Sequence, residues 1–152
     1  LDAHPSLGNN AQLAKLMSWS IDGTANPNDP GNVLMLGRVQ QPCTSQQLAN
    51  VLVEKLNRPL TCYVPRQQPI RRLAWCTGGG QGFIDEAAAL GVDAFITGEV
   101  SEQTVHSARE QGIAFFAAGH HATERYGAKA LGEHLAQQFD LDVSFVDIDN
   151  PA

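Results

Sequence analysis

Leu73-Ala74-Trp75-Cys76-Thr77-Gly78-Gly79-Gly80, then Asp93-Ala94-Phe95-Ile96-Thr97-Gly98-Glu99, then Ile113-Ala114-Phe115-Phe116-Ala117-Ala118-Gly119-His120, repeat one local pattern three times. Each is a short apolar run that stops at a glycine turn and is followed by a stretch with helical spacing. A run this short bounded by turn residues reads as a buried strand. Phe83, Ile84, Ala87, Ala88 and Leu90 then predict a helix closed by Gly91. Ser101 is placed to cap a second helix that ends at Gln111-Gly112. Thr123 to Phe139 predicts a third, with Tyr126, Ala130, Leu131 and Leu135 toward the core. Strands alternating with helices of this length predict an α/β fold, with a largely parallel sheet and helices on both faces.

Outward from this block the signals are more mixed. Thr44 with Gln47 three residues on is a capping-box arrangement, and Leu48, Val51, Leu52 and Leu56 continue along one helical face to an end near Asn57. Val33 to Gly37 and Leu60 to Val64 read as strands, and Pro65 to Pro69 as a polar connector. A short helix runs through Leu13, Leu16 and Met17. Asp22-Gly23, Asn26-Pro27 and Asp29-Pro30-Gly31-Asn32 read as consecutive turns. At the other end Val143-Ser144-Phe145-Val146-Asp147-Ile148 alternates as an edge strand would.

Composition narrows the partners. The 152 residues are 43% hydrophobic and 17% charged, the material for one core, and the expectation is a single domain over residues 1–152. No apolar run approaches the roughly 20 residues that a bilayer-spanning helix needs. Sixteen acidic against ten basic residues give a net charge of −6, and the longest basic cluster is Arg71-Arg72, which argues against nucleic acid as a partner. Three cysteines, Cys43, Cys62 and Cys76, with no close pair, fit neither a disulfide framework nor a CxxC metal site, and point to a reducing cytoplasm. The chain opens Leu1-Asp2-Ala3-His4-Pro5, without Met or a signal-type segment, and so reads as one entered midway.

Ligands of open α/β sheets sit beyond the carboxyl ends of parallel strands. The turns at Thr77 to Gly80, Thr97 to Glu99 and Gly119 to Glu124 should all lie on that edge, bringing Glu99, His120 and Glu124 into one neighbourhood. His120 and Glu124 are four residues apart at a helix start and can project from the same side. One reading makes them a metal-ligand pair for Zn²⁺, Mn²⁺, Fe²⁺ or Ni²⁺; the other has His120 capping the helix while Glu124 complements its dipole. Asp2 and His4 offer another carboxylate and imidazole, or simply a turn in which Asp2 bonds nearby amides. His121 faces elsewhere than His120, and His106 and His134 are ordinary mid-helix histidines. Gly78, Gly79 and Gly80 could present backbone N–H groups to a phosphate, or mark a close approach of strand and helix. They form neither a P-loop nor a GxGxxG pattern.

Leu1 to Pro5 with Gly8 to Leu13, Ala74 to Gly80, Asp93 to Glu99, and Ala118-Gly119-His120-His121-Ala122-Thr123-Glu124-Arg125 together resemble the Nif-three-like proteins, known as GTP cyclohydrolase 1 type 2 homologues, in their short enterobacterial form. The motifs fall in order across nearly the whole chain. The resemblance implies a Nif-three-like fold and a dinuclear metal site with two divalent ions per subunit, of Zn, Mn, Fe or Ni. Its ligands would be Asp2, as a bridge, His120 and Glu124, together with a paired His-His that has no counterpart here. On that reading the chain corresponds to the C-terminal part of a family member. Also implied are a toroidal homohexamer and a metal-dependent hydrolase acting on a small molecule, GTP being the substrate in the family name. Glu99 or His121 would then shuttle protons, and Gly78 to Gly80 would receive the triphosphate. A phosphoesterase, or a metal-binding scaffold without catalysis, is the alternative. Many relatives carry a His where this sequence has Gln103.

Overall fold

The computed structural model describes residues 1–152, and its elements follow local rules. In chain order they are α1 (Asn9–Met17), β1 (Ser20–Thr24), β2 (Met35–Cys43), α2 (Ser45–Leu56), β3 (Cys62–Val64), β4 (Ile70–Cys76), a 3-10 turn (Gln81–Phe83) leading into α3 (Ile84–Ala89), β5 (Ala94–Thr97), α4 (Glu102–Gln111), β6 (Ala114–Ala117) and α5 (His120–Phe139). Helix α2 starts with the full capping box: Gln47 N donates to Thr44 Oγ1 at 3.1 Å and Thr44 N to Gln47 Oε1 at 2.8 Å. It ends at Asn57, whose left-handed backbone directs its N–H to the Val53 carbonyl.

The strands form one six-stranded sheet in the order β1-β2-β4-β5-β6-β3. Strands β4, β5 and β6 are parallel, as the three repeated units predict. The expectation of a largely parallel sheet fails at both sides, because β1–β2, β2–β4 and β3–β6 are antiparallel. A parallel neighbour requires a crossover of a dozen or more residues, usually a helix. Only the units after β4 and β5 supply one between adjacent strands, since the link from β1 to β2 holds no helix and α2 delivers β3 to the far edge.

Alternation along the central strands divides the interior in two. Leu73, Trp75, Ile96 and Phe116 face α1, α2 and the start of α5 through Leu13, Leu48, Leu52 and Ala122. Ala74, Cys76, Phe95 and Phe115 face α3 and α4 through Ile84, Ala87 and Ala108. Helices therefore cover both faces, as expected. Trp75, Phe95, Phe115 and Phe116 are completely buried, and each such side chain stabilises the fold by roughly 1.5–3 kcal/mol. No helix is long and apolar enough to cross a membrane.

Three local expectations are corrected. Asp22-Gly23, expected as a turn, lies inside β1, whose exposed edge position and bulge between Ile21 and Gly23 remove the alternation that would reveal it. Helix α5 begins at His120, three residues ahead of Thr123. Val143 to Ile148 forms no strand: it pairs with no neighbour, and Val146 and Ile148 are 74% and 71% exposed. Alternation yields a strand only where another strand supplies the hydrogen bonds.

Candidate functional site

Three glycine turns at the ends of the parallel strands interlock. Gly98 N donates to Gly78 O and Gly119 N to Gly98 O, each at 2.9 Å, so the three turns are zipped edge to edge. Gly98 has no room for a side chain, because a Cβ there would press on Gly78 O and the His120 backbone. Thr97 Oγ1 accepts from Gly80 N at 3.0 Å and donates to Gly78 O at 3.1 Å. Thr123 Oγ1 accepts from Gly78 N at 2.9 Å and donates back to Gly119 O at 2.9 Å, tying the first turn of α5 to the turn after β4. The Gly78 and Gly80 amides are thus held by side chains of the fold, while Gly79 packs beside the Glu99 carboxylate.

This framework fixes His120 between two carboxylates. Its Nδ1 lies 2.6 Å from Glu99 Oε1 and its Nε2 2.9 Å from Glu124 Oε2. Glu99 is held in turn by Gln81 Nε2 at 3.2 Å. The hydrogen bond to Glu99, aided by Glu124, raises the imidazole pKa above its ordinary value; the same bond lowers that of Glu99. The triad is half-exposed, with side-chain accessibilities of 42% for His120, 45% for Glu99 and 28% for Glu124.

Asp2 is placed by a different device. Asn9 Nδ2 donates to Asp2 Oδ1 at 2.6 Å, and Asn9 Oδ1 accepts from Gly127 N of α5 at 2.6 Å. Asn10 is fully buried: its Oδ1 accepts from Thr77 N at 3.0 Å, its Nδ2 donates to Val33 O at 3.0 Å, and its carbonyl accepts from Trp75 Nε1 at 3.0 Å. These two asparagines dock the opening segment onto the end of β4. There both Asp2 and Glu124 act on Cys76, whose thiol is pushed up to about 12, mainly by burial. Cys76 is therefore no nucleophile near neutral pH.

The donor chemistry of His120 and Glu124 fits part of a metal site. One imidazole nitrogen faces one carboxylate oxygen, and the other nitrogen is anchored by an outer carboxylate, which fixes ring orientation in metal-ligating histidines. No three His, Cys, Asp or Glu side chains converge as a metal cluster would require, and Asp2 is not drawn into the triad. His121 turns away from His120, with Nε2 buried, without a hydrogen-bond partner, and 3.8 Å from Asp147 Oδ1. His4 accepts from the Ser6 and Leu7 amides in a local turn. His106 is an exposed mid-helix residue.

Asn9, Asn10 and Thr123 fall inside the motifs that carry the family resemblance, but nothing local assigns them a role in the site. Arg58 and Arg125, which line one cleft beside the start of α5, carry no signal of their own.

Residues 1–151 match the family described as Duf34/NIF3 (NGG1p interacting factor 3). The chain belongs to this family. Relatives within Duf34/NIF3 named GTP cyclohydrolase 1 type 2 homolog are 53% identical in Pseudomonas aeruginosa, 57% in Haemophilus influenzae and 56% in Escherichia coli K12. All of this chain is covered in each comparison, and the chain spans 60–61% of the length of these relatives. Its fold superposes on a solved protein described as ybgI, of unknown function, with a TM-score of 0.93, 53% identity and coverage of 100% of this chain and 60% of that one. A crystal structure of TTHA1606 from Thermus thermophilus gives a TM-score of 0.84 at 26% identity, over 99% of this chain and 59% of that one.

Proposed function

We propose that this Duf34/NIF3 chain carries part of a dinuclear metal centre of a hydrolase acting on a small molecule, of the GTP cyclohydrolase kind named for its relatives, within a homohexamer. The observation that supports the reading is His120 held between Glu99 and Glu124 at the joined ends of three parallel strands. His120 Nε2 and the Glu124 carboxylate would hold the metal, Asp2 would contribute a further carboxylate, and the remaining donors come from outside these residues. Divalent ions bound there supply Lewis acidity and lower the pKa of water toward neutrality. Glu99 keeps His120 oriented through Nδ1, and its half-exposed carboxylate can pass a proton between the cleft and solvent. His121, on the tail side of the same cleft, is the second candidate for that transfer. We assign Gly78 the task of letting Glu124 approach the strand end, and the Gly78 and Gly80 amides are already committed to Thr123 and Thr97.

Elemental analysis of the full-length protein, coupled to light scattering, tests the reading. About two divalent ions per subunit in a hexamer are expected, with metal-dependent GTP turnover that is lost in Glu124→Ala while the hexamer persists. Unchanged turnover in Glu124→Ala, or no metal retained by the wild-type protein, sinks it.

A further inference from the structure

The last residues fold back over the start of α5. Residues 140–152 hold four aspartates and no lysine or arginine, and they engage the guanidinium groups of Arg58 and Arg125. Arg58 Nη1 donates to the Ala152 carbonyl at 2.6 Å and Nη2 to the Pro151 carbonyl at 3.2 Å. Arg125 Nη1 donates to Asp147 Oδ2 at 3.0 Å. The His121 amide, in the first turn of α5, donates to the Ala152 carbonyl at 3.3 Å.

The cradle under this strap is preformed. Gly119 has φ +100, and a Cβ at that position would overlap the Arg58 guanidinium, so glycine is what lets Arg58 lie against the helix start. Arg125 is steered from behind, with Nη2 donating to Leu56 O and to the Tyr126 hydroxyl, each at 3.3 Å, and its guanidinium 5.3 Å from the Tyr126 ring centre. His121 Nε2 is buried and unpaired on the same side. Arg125 and His121 line the cleft that holds His120, Glu124, Asn150 and Ala152, and Arg58 lines an adjoining one that shares Arg125, His121 and Asn150 with it. Two planar guanidinium groups and a helix-terminal amide make a donor set that suits the oxygens of a phosphate, and Asp147 already places an anionic oxygen on one of them.

We propose that Arg58, Arg125 and the first turn of α5 form a subsite for the phosphoryl group of a small-molecule ligand, and that the acidic strap 140–152 is its tethered competitor. A strap held on the same chain acts at high effective concentration, so a multiply charged phosphate chain displaces it more readily than a single phosphate does. The inference rests on the hydrolase reading only in calling that ligand a substrate, since the binding needs neither metal nor turnover.

Calorimetric titration of the metal-free protein with tripolyphosphate, GTP, guanosine and inorganic phosphate tests it. Tripolyphosphate and GTP should bind, guanosine should not, and inorganic phosphate should be the weaker anion. Arg58→Gln should weaken tripolyphosphate binding about tenfold or more, the loss expected for a charge-assisted fork. Arg58→Lys should fall between, and removal of residues 149–152 should strengthen binding several-fold. Thermal unfolding of each variant confirms that it is folded. Equal binding in wild type and Arg58→Gln, guanosine binding as tightly as GTP, or weaker binding after strap removal overturns the proposal. Tripolyphosphate binding without metal-dependent turnover sinks the hydrolase reading and leaves the subsite; turnover with phosphate binding indifferent to Arg58 does the reverse.

Discussion

Gly78→Ala separates backbone strain from the carboxylate that Gly78 makes room for. Gly78 has φ +66, a left-handed conformation that costs alanine about 1 kcal/mol relative to glycine. The added methyl would also overlap the Glu124 carboxylate. That carboxylate is the end of a flexible side chain, 28% exposed, so it swings aside and gives up its 2.9 Å contact with His120 Nε2. A charge-assisted hydrogen bond in a partly screened setting contributes roughly 1–1.5 kcal/mol. The sum is about 2–2.5 kcal/mol, a fall in unfolding midpoint of roughly 4–10 °C for a domain of this size. Urea unfolding of metal-free wild type, Gly78→Ala, Glu124→Ala and the double variant forms a closed cycle. In the Glu124→Ala background only the backbone part, about 1 kcal/mol, should remain. An NMR titration should show the His120 pKa falling in Gly78→Ala, since Glu99 alone then supports the cation. An identical cost in both backgrounds, with the His120 titration unmoved, would refute the assigned role of Gly78.

Asn10→Leu should destabilise by about 2–4 kcal/mol in urea unfolding, because Thr77 N loses its buried acceptor and the apolar side chain cannot replace it. Limited proteolysis should then cut residues 1–8 faster than in wild type. In metal-free protein the raised His120 pKa adds stability that is full below pH 6.5 and lost as pH rises through the folded value; the lowered Glu99 pKa adds stability that is full above pH 4.5 and lost on acidification. The triad should therefore support folding most between pH 4.5 and 6.5, a maximum that His120→Asn removes from the difference in thermal midpoints. Cys76, at about 12, should resist a thiol-specific reagent at pH 8 until the protein unfolds, while partly exposed Cys43 and Cys62 react first; rapid labelling of Cys76 in native protein would contradict its burial.

The repeated strand, turn and helix of residues 73–120 was legible because each unit closes its own local pattern. The strands are fully buried, their ends carry glycine, and the helices have caps such as Ser101 and stops such as Gly91 and Gly112. The same regularity placed Glu99, His120 and Glu124 on one edge, where the interlocked turns do bring them together. Edge elements were less readable. Nothing in Ser20 to Thr24 distinguishes an exposed, bulged strand from a turn, and nothing in Val143 to Ile148 reveals that its alternation has no partner.

By itself, then, the amino-acid sequence determined what is set by neighbours along the chain: the helices and most of their limits, the buried strands, the glycine turns and the pairing of His120 with Glu124 across one helical turn. Tertiary structure alone decided the direction of the outer strands, which depends on where a connection of given length can return. It also decided the docking of Asp2 through Asn9 and Asn10 onto β4 and α5, and the meeting of Arg58 and Arg125 with the last residues of the chain. Those contacts join residues far apart in sequence, and a polar side chain carries no local mark of the distant amide, carbonyl or carboxylate that will satisfy it.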